Sequence, residues 1–488
     1  MGILAIEPAT VEPGARANAT GSGYRKAAAT RLRVQVPGGT DLLTQVFATT
    51  REGAFEVGTP PAPAAEGTYP VVVEQRVGKG YQAQPGGDSL VVKHVIVPVP
   101  EPEPDPPPAP QPGGSWVMPP MATALETRDL AAVLAGYPAG ATVDLAPAVW
   151  RLRGLVRPTQ RGLRVNFNGG VLDGGGQLGE LLMTGAADQA FDGLYVRNVR
   201  DTGVVQSAAI NLQDQGGASL THVDGVGGPY ALVRALNAPA HLIAYVRSHA
   251  APGEGVWGWN SPDGYMHDVR VTGTNPRRAD GTWRYDPTWE AGGVKVGNSK
   301  RYRMERCEAS HNGGLGLWLD VYDSDSGLTA CRTDHNDFSG IMVEIQDGGW
   351  VRDCVSWEDG WNDPRRFGWP WGAGILIASD GDVEVVRCVV AWCPDSVGVV
   401  SQRRMNTDGL GGNPAGTLDP PNNGRDIRVV GNTLTKAPRW VQDWAGPLLT
   451  STGAVNTAAG NVNGPNVIVA QDDPRLAAAG VPLRPEAH

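Results

Sequence analysis

A repeat of 23 or 24 residues is the feature of this sequence that most restricts its fold. From about residue 190, apolar or cysteine positions in a common local pattern recur at steps of 23 or 24 residues, with three longer steps of 38, 34 and 42 residues. These positions are Val199, Val223, Val246, Val269, Cys307, Cys331, Cys354, Cys388 and Val430. A second series, of glycines followed by alternating apolar residues, keeps the same phase and consists of Gly255, Gly293, Gly316, Gly340, Gly374 and Gly398. Two independent series in phase indicate that the repeat is structural.

The length of the repeat predicts the architecture. A unit of 23 or 24 residues with short strand patterns and no helix has the length of one coil of a parallel β-helix, whereas helical repeats need about 33 residues or more. The longer steps then correspond to single coils that carry an extra 10–19 residues as loops. We therefore predict an all-β parallel β-helix over 116–488. A short amphipathic helix at about Leu125–Ala135, with Thr127 as N-cap and Gly136 at its end, is expected to cover its open end.

The repeat also assigns a role to the cysteines. Cys307, Cys331, Cys354 and Cys388 occupy one position of four successive coils, so we expect them to stack as an inward ladder of small buried side chains. Five cysteines without CxxC spacing favour neither a disulfide framework nor zinc. The pairs His311–Asn312 and His335–Asn336 lie 24 residues apart and should stack at one turn.

The first 115 residues have a different composition. Residues 1–97 contain short apolar runs between turn residues, which predicts a small β-sandwich with strands at Leu32–Val36, Leu43–Ala48, Tyr69–Glu74 and Ser89–Val97. Nine prolines follow among the fifteen residues from Pro98 to Pro112. Such a segment cannot form a core and favours polyproline II, so we predict a stiff linker of roughly 45 Å over 98–115.

Charge and hydropathy exclude two classes of partner. The net charge is −10 and no run of Lys and Arg is present, so we expect no nucleic-acid partner. No apolar stretch approaches the ~20 residues of a membrane-spanning helix, so no membrane insertion is expected. The first residues lack the basic and apolar regions of a signal peptide, so we expect either export by another route or a leader missing from this sequence.

The candidate catalytic groups follow from the alternation of each strand after its repeat glycine. The branched aliphatic residues of the strands should face the core, and the residues between them should form outward columns along neighbouring coils. One column contains Trp257, Lys295, Trp318, Met342, Leu376 and Val400; the next contains Trp259, Gly297, Asp320, Glu344, Ala378 and Gln402. Asp320 and Glu344 therefore fall on adjacent coils, and Glu290 can reach them from the preceding turn. Paired carboxyl groups roughly 5–8 Å apart are the equipment of glycosidic-bond hydrolysis.

The tryptophan distribution points to a carbohydrate ligand. Thirteen of the 15 tryptophans lie between residues 257 and 444, and aromatic faces are suited to stacking on sugar rings. The expected substrate-binding residues are Lys295, Trp257, Trp259, Trp289, Trp318, His311, His335, Trp371 and Gln402. The alternative is that the outward carboxylates only solvate a sheet. We expect no metal or cofactor, with Ca²⁺ the one candidate at Asp320, Asp323 and Asp325, whose spacing matches no EF-hand loop.

Several motifs resemble a known superfamily. The segments Trp289–Lys295, His311–Asp320, Gly340–Glu344 and Trp371–Ile375 are similar to actinobacterial and actinophage repeat proteins of the right-handed parallel β-helix (pectin lyase-like) superfamily. Leu125–Gly154 resembles the N-terminal cap of phage tailspikes and secreted β-helix enzymes, and Thr10–Tyr24 resembles bacterial immunoglobulin-like domains. The superfamily resemblance covers about 125–435. It implies a right-handed coil, a site shared by Glu290, Lys295, Asp320 and Glu344, and a homotrimer. The calcium-binding acidic set and arginine base of pectate lyases are missing.

These features favour a phage minor tail protein or tailspike located in the virion tail. Such a protein would contact other tail proteins and bind, and if active hydrolyse, host cell-envelope polysaccharide, with Glu344 and Asp320 as acid and base. A non-catalytic adhesin or structural tail component is one alternative, and a secreted bacterial polysaccharide lyase or epimerase is another.

Overall fold

The computed structural model divides into two compact units, Met1–Asp105 and Pro106–His488. In the first unit, and for the strands at Leu449–Thr452 and Val462–Asn463, it describes the backbone of the strands. Side chains are described for residues 118–363, 371–378, 380–400, 426–435, 466–470 and 473–481, except Ile468. The predicted linker over 98–115 lies outside these residues.

The strands of the first unit form two sheets. Three antiparallel strands, Ile3–Glu7, Asn18–Ser22 and Phe55–Gly58, make one sheet. The second sheet is mostly antiparallel and contains Thr10–Val11, Gly80–Val92, Gly67–Val77, Ala29–Val34, Leu42–Leu43 and Phe47–Ala48. Strands overlap all four of the predicted segments, and residues 93–97 of the last segment lie outside the described residues. The immunoglobulin-like identity of this unit stays a prediction.

The second unit is a right-handed parallel β-helix, as predicted. One of its faces is a parallel sheet, which we call the ten-strand sheet. Its strands are Leu182–Met183, Ala208–Gln213, Ala231–Leu236, Glu254–Trp259, Gly292–Gly297, Leu315–Leu319, Ile341–Glu344, Ala373–Ala378, Asp395–Val400 and Leu449–Thr452. A 3₁₀ turn, Pro370–Gly372, precedes the eighth strand. Successive strands belong to successive coils, so residues in register form columns along the solenoid.

The other strands of the solenoid form a continuous parallel sheet that bends along its length, which we call the bent sheet. Its first strands are Leu125–Glu126, Thr142–Asp144, Val149–Arg151, Arg164–Asp173, Ala190–Arg197, Ser219–Val226 and Leu242–His249. From there each coil has two short strands. The first of each pair are Tyr265–His267, Arg303–Glu305, Ser326–Thr329, Asp347–Arg352, Gly381–Val386, Arg428–Val430 and Val462–Asn463. The second are Arg270–Thr272, Glu308–Ser310, Arg332–Asp334, Val355–Trp357, Val389–Ala391, Thr433–Leu434 and Val467–Ile468.

A left-handed backbone residue makes the corner between the two short strands. Asp268, Arg306, Ala330, Asp353 and Arg387 occupy this position in five successive coils, with φ between 51° and 57°. Since a residue with positive φ breaks the extended run, each coil turns there. Four of these five residues are charged, and they form two ion pairs between adjacent coils, Arg306 with Asp268 and Arg387 with Asp353.

Branched aliphatic side chains fill the interior. Val256, Val294, Leu317, Ile341 and Ile375 stack from coil to coil in the core, each at most 1% exposed. The cysteine ladder is confirmed, because Cys307, Cys331, Cys354 and Cys388 are all fully buried in this core and form no disulfide. The alternation that distinguishes core from outer columns was therefore assigned correctly from the sequence.

An asparagine ladder holds the turn before the ten-strand sheet. Asn312 Nδ2 donates to Asn336 Oδ1 at 2.8 Å, and Asn336 Nδ2 donates to Asp359 Oδ1 at 2.8 Å. Thr274 Oγ1 extends the chain by donating to Asn312 Oδ1 at 2.9 Å. Complete burial raises the pKa of Asp359 to about 7 even though Asn336, Ser356 and Thr333 donate to its carboxyl group. The ladder satisfies polar groups that would otherwise be orphaned inside the solenoid.

The predicted cap helix is shorter than expected. It spans Leu130–Ala135, and Gly136 follows its last residue as predicted. Its N-cap is Asp129, whose side chain accepts from the Ala132 N–H at 3.1 Å. Thr127 is not the N-cap, because Leu125–Glu126 forms a strand that pairs with Val149–Arg151. Leu130 and Leu134 are buried against the first coils, so the helix covers the apolar end of the core.

A second helix packs on the outside of the later coils. It spans Pro474–Ala478, with Asp473 as N-cap, and its Leu476 is fully buried against the outward side chains of Val355 and Val389. Arg332 donates to the carbonyl oxygens of Ala479 and Gly480 at 2.9 and 3.3 Å. Neither helix of the described residues is long and apolar enough to cross a membrane.

Candidate functional site

The outer columns of the ten-strand sheet have the predicted register over most of their length. Trp257, Lys295 and Trp318 lie directly opposite one another on three successive coils. Leu319 pairs with Val343, so Asp320 and Glu344, the residues that follow them, lie on adjacent coils. The sequence therefore identified the neighbours correctly, while their catalytic roles stay a prediction.

The register prediction was wrong at the last coil of the glycine series. Gly398 pairs with Leu376, and Val400 pairs with Ala378. Gly398 is therefore two positions further along its strand than the repeat glycines of the earlier coils. Val400 belongs to the column that was assigned to Gln402, and Gln402 itself lies outside the described residues.

The outer columns are not an open surface. Trp257, Lys295, Trp318, Asp320 and Glu344 are only 2–9% exposed. The insertions of the longer coils cover them with apolar side chains of their own, namely Tyr285 and Ala291 against Trp257, and Trp283 and Trp371 in the cluster around Trp318 and Met342. The columns face outward from the core as predicted, but they do not form the protein surface, because the aromatic residues of the insertions pack onto the sheet and form a second apolar layer.

Lys295 is the centre of a polar cluster inside this layer. Its Nζ atom lies 3.0 Å from Asp320 Oδ2 and 3.7 Å from the centre of the Trp318 ring. It also donates to the backbone carbonyl of Trp289. One ammonium group thus joins a carboxylate, an aromatic face and the loop that precedes its own strand.

Glu254 belongs to the same cluster and was missed by the sequence analysis. It is fully buried at the start of its strand, opposite Ala231 and Gly292. Burial raises the pKa of Glu254 well above its usual range, the charges of Asp320 and Glu290 add to this, and the Lys295 ammonium opposes it. The neighbouring coils have small or apolar residues in this column. The acidic residue was therefore a signal, and aligning the repeats at the residue before each repeat glycine would have found it.

Tyr230 lies beside Glu254. Burial and the neighbouring Glu254 carboxyl group raise the pKa of the Tyr230 phenol far above its usual range. Its ring also contacts Tyr285 edge-on, with 5.0 Å between ring centres. Burial therefore shifts both the phenol and the carboxyl group towards their protonated forms.

Trp289 and Glu290 bring the cluster to the surface. The Trp289 side chain is 58% exposed. Glu290 is half-buried, and its Oε2 accepts the Asp286 N–H at 3.3 Å. The half-buried Trp259 lies parallel to Trp257 and packs over Gly297, where a Cβ atom would come within 2.7 Å of the Trp259 ring. These residues form an aromatic and acidic edge beside the buried ion pair, which we call the Trp289 edge.

The two predicted histidines lie elsewhere. His311 and His335 stack as expected, with ring centres 4.7 Å apart and planes within 8°. They precede the ten-strand sheet, whereas Asp320 follows the end of the strand Leu315–Leu319. They contact Asp334 instead, so the structure does not place them with the Lys295 cluster.

The cluster combines a buried carboxyl group with an ion-paired one. Burial raises the pKa of the Glu254 carboxyl group, whereas Asp320 forms an ion pair with Lys295. The small exposure of Asp320 and Glu344 shows that a polymer substrate would have to displace part of the covering layer to reach them.

Comparison with known proteins supports the fold. Residues 208–390 match the family described as right handed beta helix region. Among curated proteins, none matches this chain in sequence.

Solved structures with a similar fold have very different sequences. The A-module of the mannuronan C-5 epimerase AlgE6 of Azotobacter vinelandii is 14% identical with a TM-score of 0.47, covering 72% of this chain and 96% of that one. PfbA, a surface adhesin of Streptococcus pneumoniae, is 8% identical with a TM-score of 0.37, covering 71% and 88%. DFA-IIIase of Arthrobacter chlorophenolicus A6 is 11% identical with a TM-score of 0.38, covering 67% and 74%. Residues 208–390 of this chain match the right handed beta helix region family, in agreement with the parallel β-helix of the second unit.

Proposed function

We propose that this protein is a phage minor tail protein or tailspike that binds a host cell-envelope polysaccharide at the Trp289 edge. The observation that carries the proposal is the exposed Trp289 indole, whose backbone carbonyl is held by the buried Lys295 that pairs with Asp320. An indole side chain has few rotatable bonds and so loses little conformational entropy on binding, and its flat face suits a sugar ring. The adjacent Glu290 carboxylate can accept hydrogen bonds from sugar hydroxyl groups.

The arrangement along the chain supports the tail assignment. An all-β unit, a proline-rich segment and a solenoid follow one another, which suits docking through the first unit and presentation of the solenoid to the host. We propose that the protein assembles as a homotrimer and that this trimer contacts other tail proteins. Sedimentation of the full chain tests this: a mass three times that of one chain supports it, and a monomer at micromolar concentration contradicts it.

Binding is tested with one matched pair of variants. Isothermal titration of the full chain with cell-envelope polysaccharides of candidate hosts is repeated with Trp289→Ala and with Tyr137→Ala, an exposed aromatic residue beside the cap helix. We expect Trp289→Ala to weaken binding at least tenfold and Tyr137→Ala to leave it unchanged. Equal affinities for all three proteins would overturn the Trp289 edge as the binding site.

Hydrolysis of the bound polysaccharide is the second candidate function, and the buried acid Glu254 favours it. We propose Asp320, Glu344 and Glu290 as candidate catalytic groups, to which Glu254 is added. In this reaction an acid protonates the leaving glycosidic oxygen while a base takes a proton from the attacking water, so each cut adds one water. Such a division of roles requires two carboxyl groups in different environments. Here Glu254 is buried and Asp320 forms an ion pair.

Mass spectrometry of the products separates the alternatives. Fragments that carry one added water, lost in Glu344→Gln or Glu254→Gln, would establish a hydrolase. Unsaturated fragments would indicate a lyase and contradict the roles of these carboxyl groups. Intact polysaccharide that binds equally to the wild type and both variants would make the protein an adhesin.

A further inference from the structure

A cluster of two histidines and two carboxylates lies at the turn that leads into the ten-strand sheet. His311, His335 and Glu358 occupy one position of three successive coils, each with a positive φ between 52° and 56°. Asp334 lies beside them in the preceding position. The shared backbone conformation makes the three side chains project in parallel from adjacent coils.

The distances within this cluster suit a common ligand. His335 Nδ1 lies 2.9 Å from Asp334 Oδ2, and His311 Nδ1 lies 3.7 Å from the same oxygen. One ligand atom of each of these three residues lies within 4.8 Å of the others. The donor atoms of a tetrahedral zinc ion are about 3.3 Å apart, given Zn–N and Zn–O lengths near 2.0–2.1 Å. His311, whose side chain is 60% exposed, can close the remaining gap by a small rotation.

Glu358 supports the orientation of His335. Its carboxyl group is nearly buried, with 1% of the side chain exposed, and its Oε2 lies 3.4 Å from His335 Nε2. A carboxylate that holds one ring nitrogen of a histidine, while the other nitrogen faces a cation, is the usual outer support of a metal ligand. Glu358 thus leaves His335 Nδ1 directed towards Asp334 and His311.

A nearby arginine does not occupy this position. Arg332 acts electrostatically on Asp334, but its guanidinium donates to the carbonyl oxygens of Ala479 and Gly480 and lies 5.1 Å from the centre of the Trp357 ring. Arg332 therefore directs its hydrogen bonds to Ala479 and Gly480 and not to Asp334.

We propose that His311, Asp334 and His335 bind a divalent transition metal ion of the zinc class, with Glu358 as the outer support. Two imidazoles and one carboxylate form a donor set that favours Zn²⁺ over Mg²⁺ or Ca²⁺, which prefer oxygen ligands. The ion joins two adjacent coils at the edge of the solenoid and keeps one coordination position for water or a ligand group. The site lies where the chain enters the ten-strand sheet, whereas Asp320 lies where the chain leaves it. The metal proposal is therefore independent of the polysaccharide proposal.

The test uses the full chain, without an affinity tag and freed of metal by chelation. Isothermal titration with Zn²⁺ should show one ion per chain, and bound Co²⁺ should give the visible absorption of a tetrahedral site. We expect His311→Ala and Asp334→Asn to weaken Zn²⁺ binding at least a hundredfold and Glu358→Gln to weaken it about 10–100-fold. Zn²⁺ should also raise the melting temperature of the wild type but not that of His311→Ala.

A matched control comes from another histidine–carboxylate pair. His222 Nδ1 lies 2.7 Å from Asp192 Oδ1 on the bent sheet, with no second histidine in ligand geometry among the described residues. His222→Ala should bind Zn²⁺ like the wild type. Absence of a stoichiometric Zn²⁺ complex in the wild type, or equal binding by His311→Ala and His222→Ala, would overturn the proposal. Since His311 is exposed, His311→Ala is expected to fold, and its melting temperature without metal verifies this.

Discussion

The Nζ atom of Lys295 lies 3.0 Å from Oδ2 of Asp320 on the next coil, and each side chain is 11% exposed. An ion pair withdrawn from water is stabilising only while both partners are present, because either charge alone pays the desolvation cost. The charge of Lys295 therefore allows the carboxyl groups of the cluster to lie beneath the covering apolar layer.

Replacing this lysine should destabilise the solenoid strongly. Lys295→Met leaves the Asp320 carboxylate without its cation and beside Glu254, so we expect a loss of about 3–5 kcal/mol in the free energy of unfolding. Urea denaturation of the variant measures it. The double variant Lys295→Met/Asp320→Leu removes both charges and should recover most of the loss. A single variant as stable as the wild type would contradict the role of the pair.

The asparagine ladder gives a second stability prediction. Asn336 donates to Ala309 and Asp359 and accepts from the backbone and side chain of Asn312. Asn336→Ala leaves several buried polar groups without hydrogen-bond partners, and each such group costs about 1–3 kcal/mol. We therefore expect the free energy of unfolding to fall by more than about 2 kcal/mol. Asn362→Ala, which removes an exposed hydrogen bond to Asp337, should cost less than about 1 kcal/mol in the same denaturation experiment. Equal losses for the two variants would show that the ladder adds no stability.

The close approach of successive coils predicts a steric effect. A Cβ atom on Gly316 would lie 2.3 Å from the Gly340 carbonyl oxygen and 2.8 Å from Asn336 Nδ2. Backbone atoms cannot move aside cheaply, so Gly316→Ala should lower stability by about 3 kcal/mol or more. Gly154→Ala meets no atom within 4 Å and is the control. Thermal unfolding followed by circular dichroism compares them, and coincident melting curves would contradict the packing argument.

A buried histidine predicts a pH dependence. His241 lies between the Ala238 carbonyl oxygen at 2.7 Å and the Tyr302 hydroxyl at 2.9 Å, and complete burial lowers its pKa from 6.5 to about 4. Between these two values the unfolded chain binds a proton that the folded chain does not, so His241 destabilises the fold as pH falls from 6.5 to 4. The effect amounts to about 3 kcal/mol at pH 4.

Comparison with one variant isolates this contribution. His241→Gln has no titrating group, so its free energy of unfolding should fall less than that of the wild type between pH 6.5 and pH 4. Urea denaturation at a series of pH values measures both slopes. Asp359, whose raised pKa acts in the opposite direction, is common to both proteins and cancels in the comparison. Parallel slopes would mean that His241 is protonated in the folded protein.

Much of the solenoid was predictable because its repeat is a one-dimensional signal. The inward cysteines, the stacked His311 and His335 rings and the adjacency of Asp320 and Glu344 all follow from counting residues along successive coils. The prediction was wrong where local irregularity breaks the count. Gly398 is two positions out of register. The cap helix has its N-cap at Asp129, because Leu125–Glu126 before it forms a strand.

The sequence by itself determined which residues face the core and which share a column, since the coil length and the two-residue alternation of strands are local properties. Only the tertiary structure decided how exposed the outer columns are, because the insertions fold back over Trp257 and Trp318 from positions distant in the chain. It also decided that Glu254 joins Lys295 and Asp320, and that the histidines face Asp334. Burial and charge pairing depend on packing between coils and loops, which no single period in the sequence encodes.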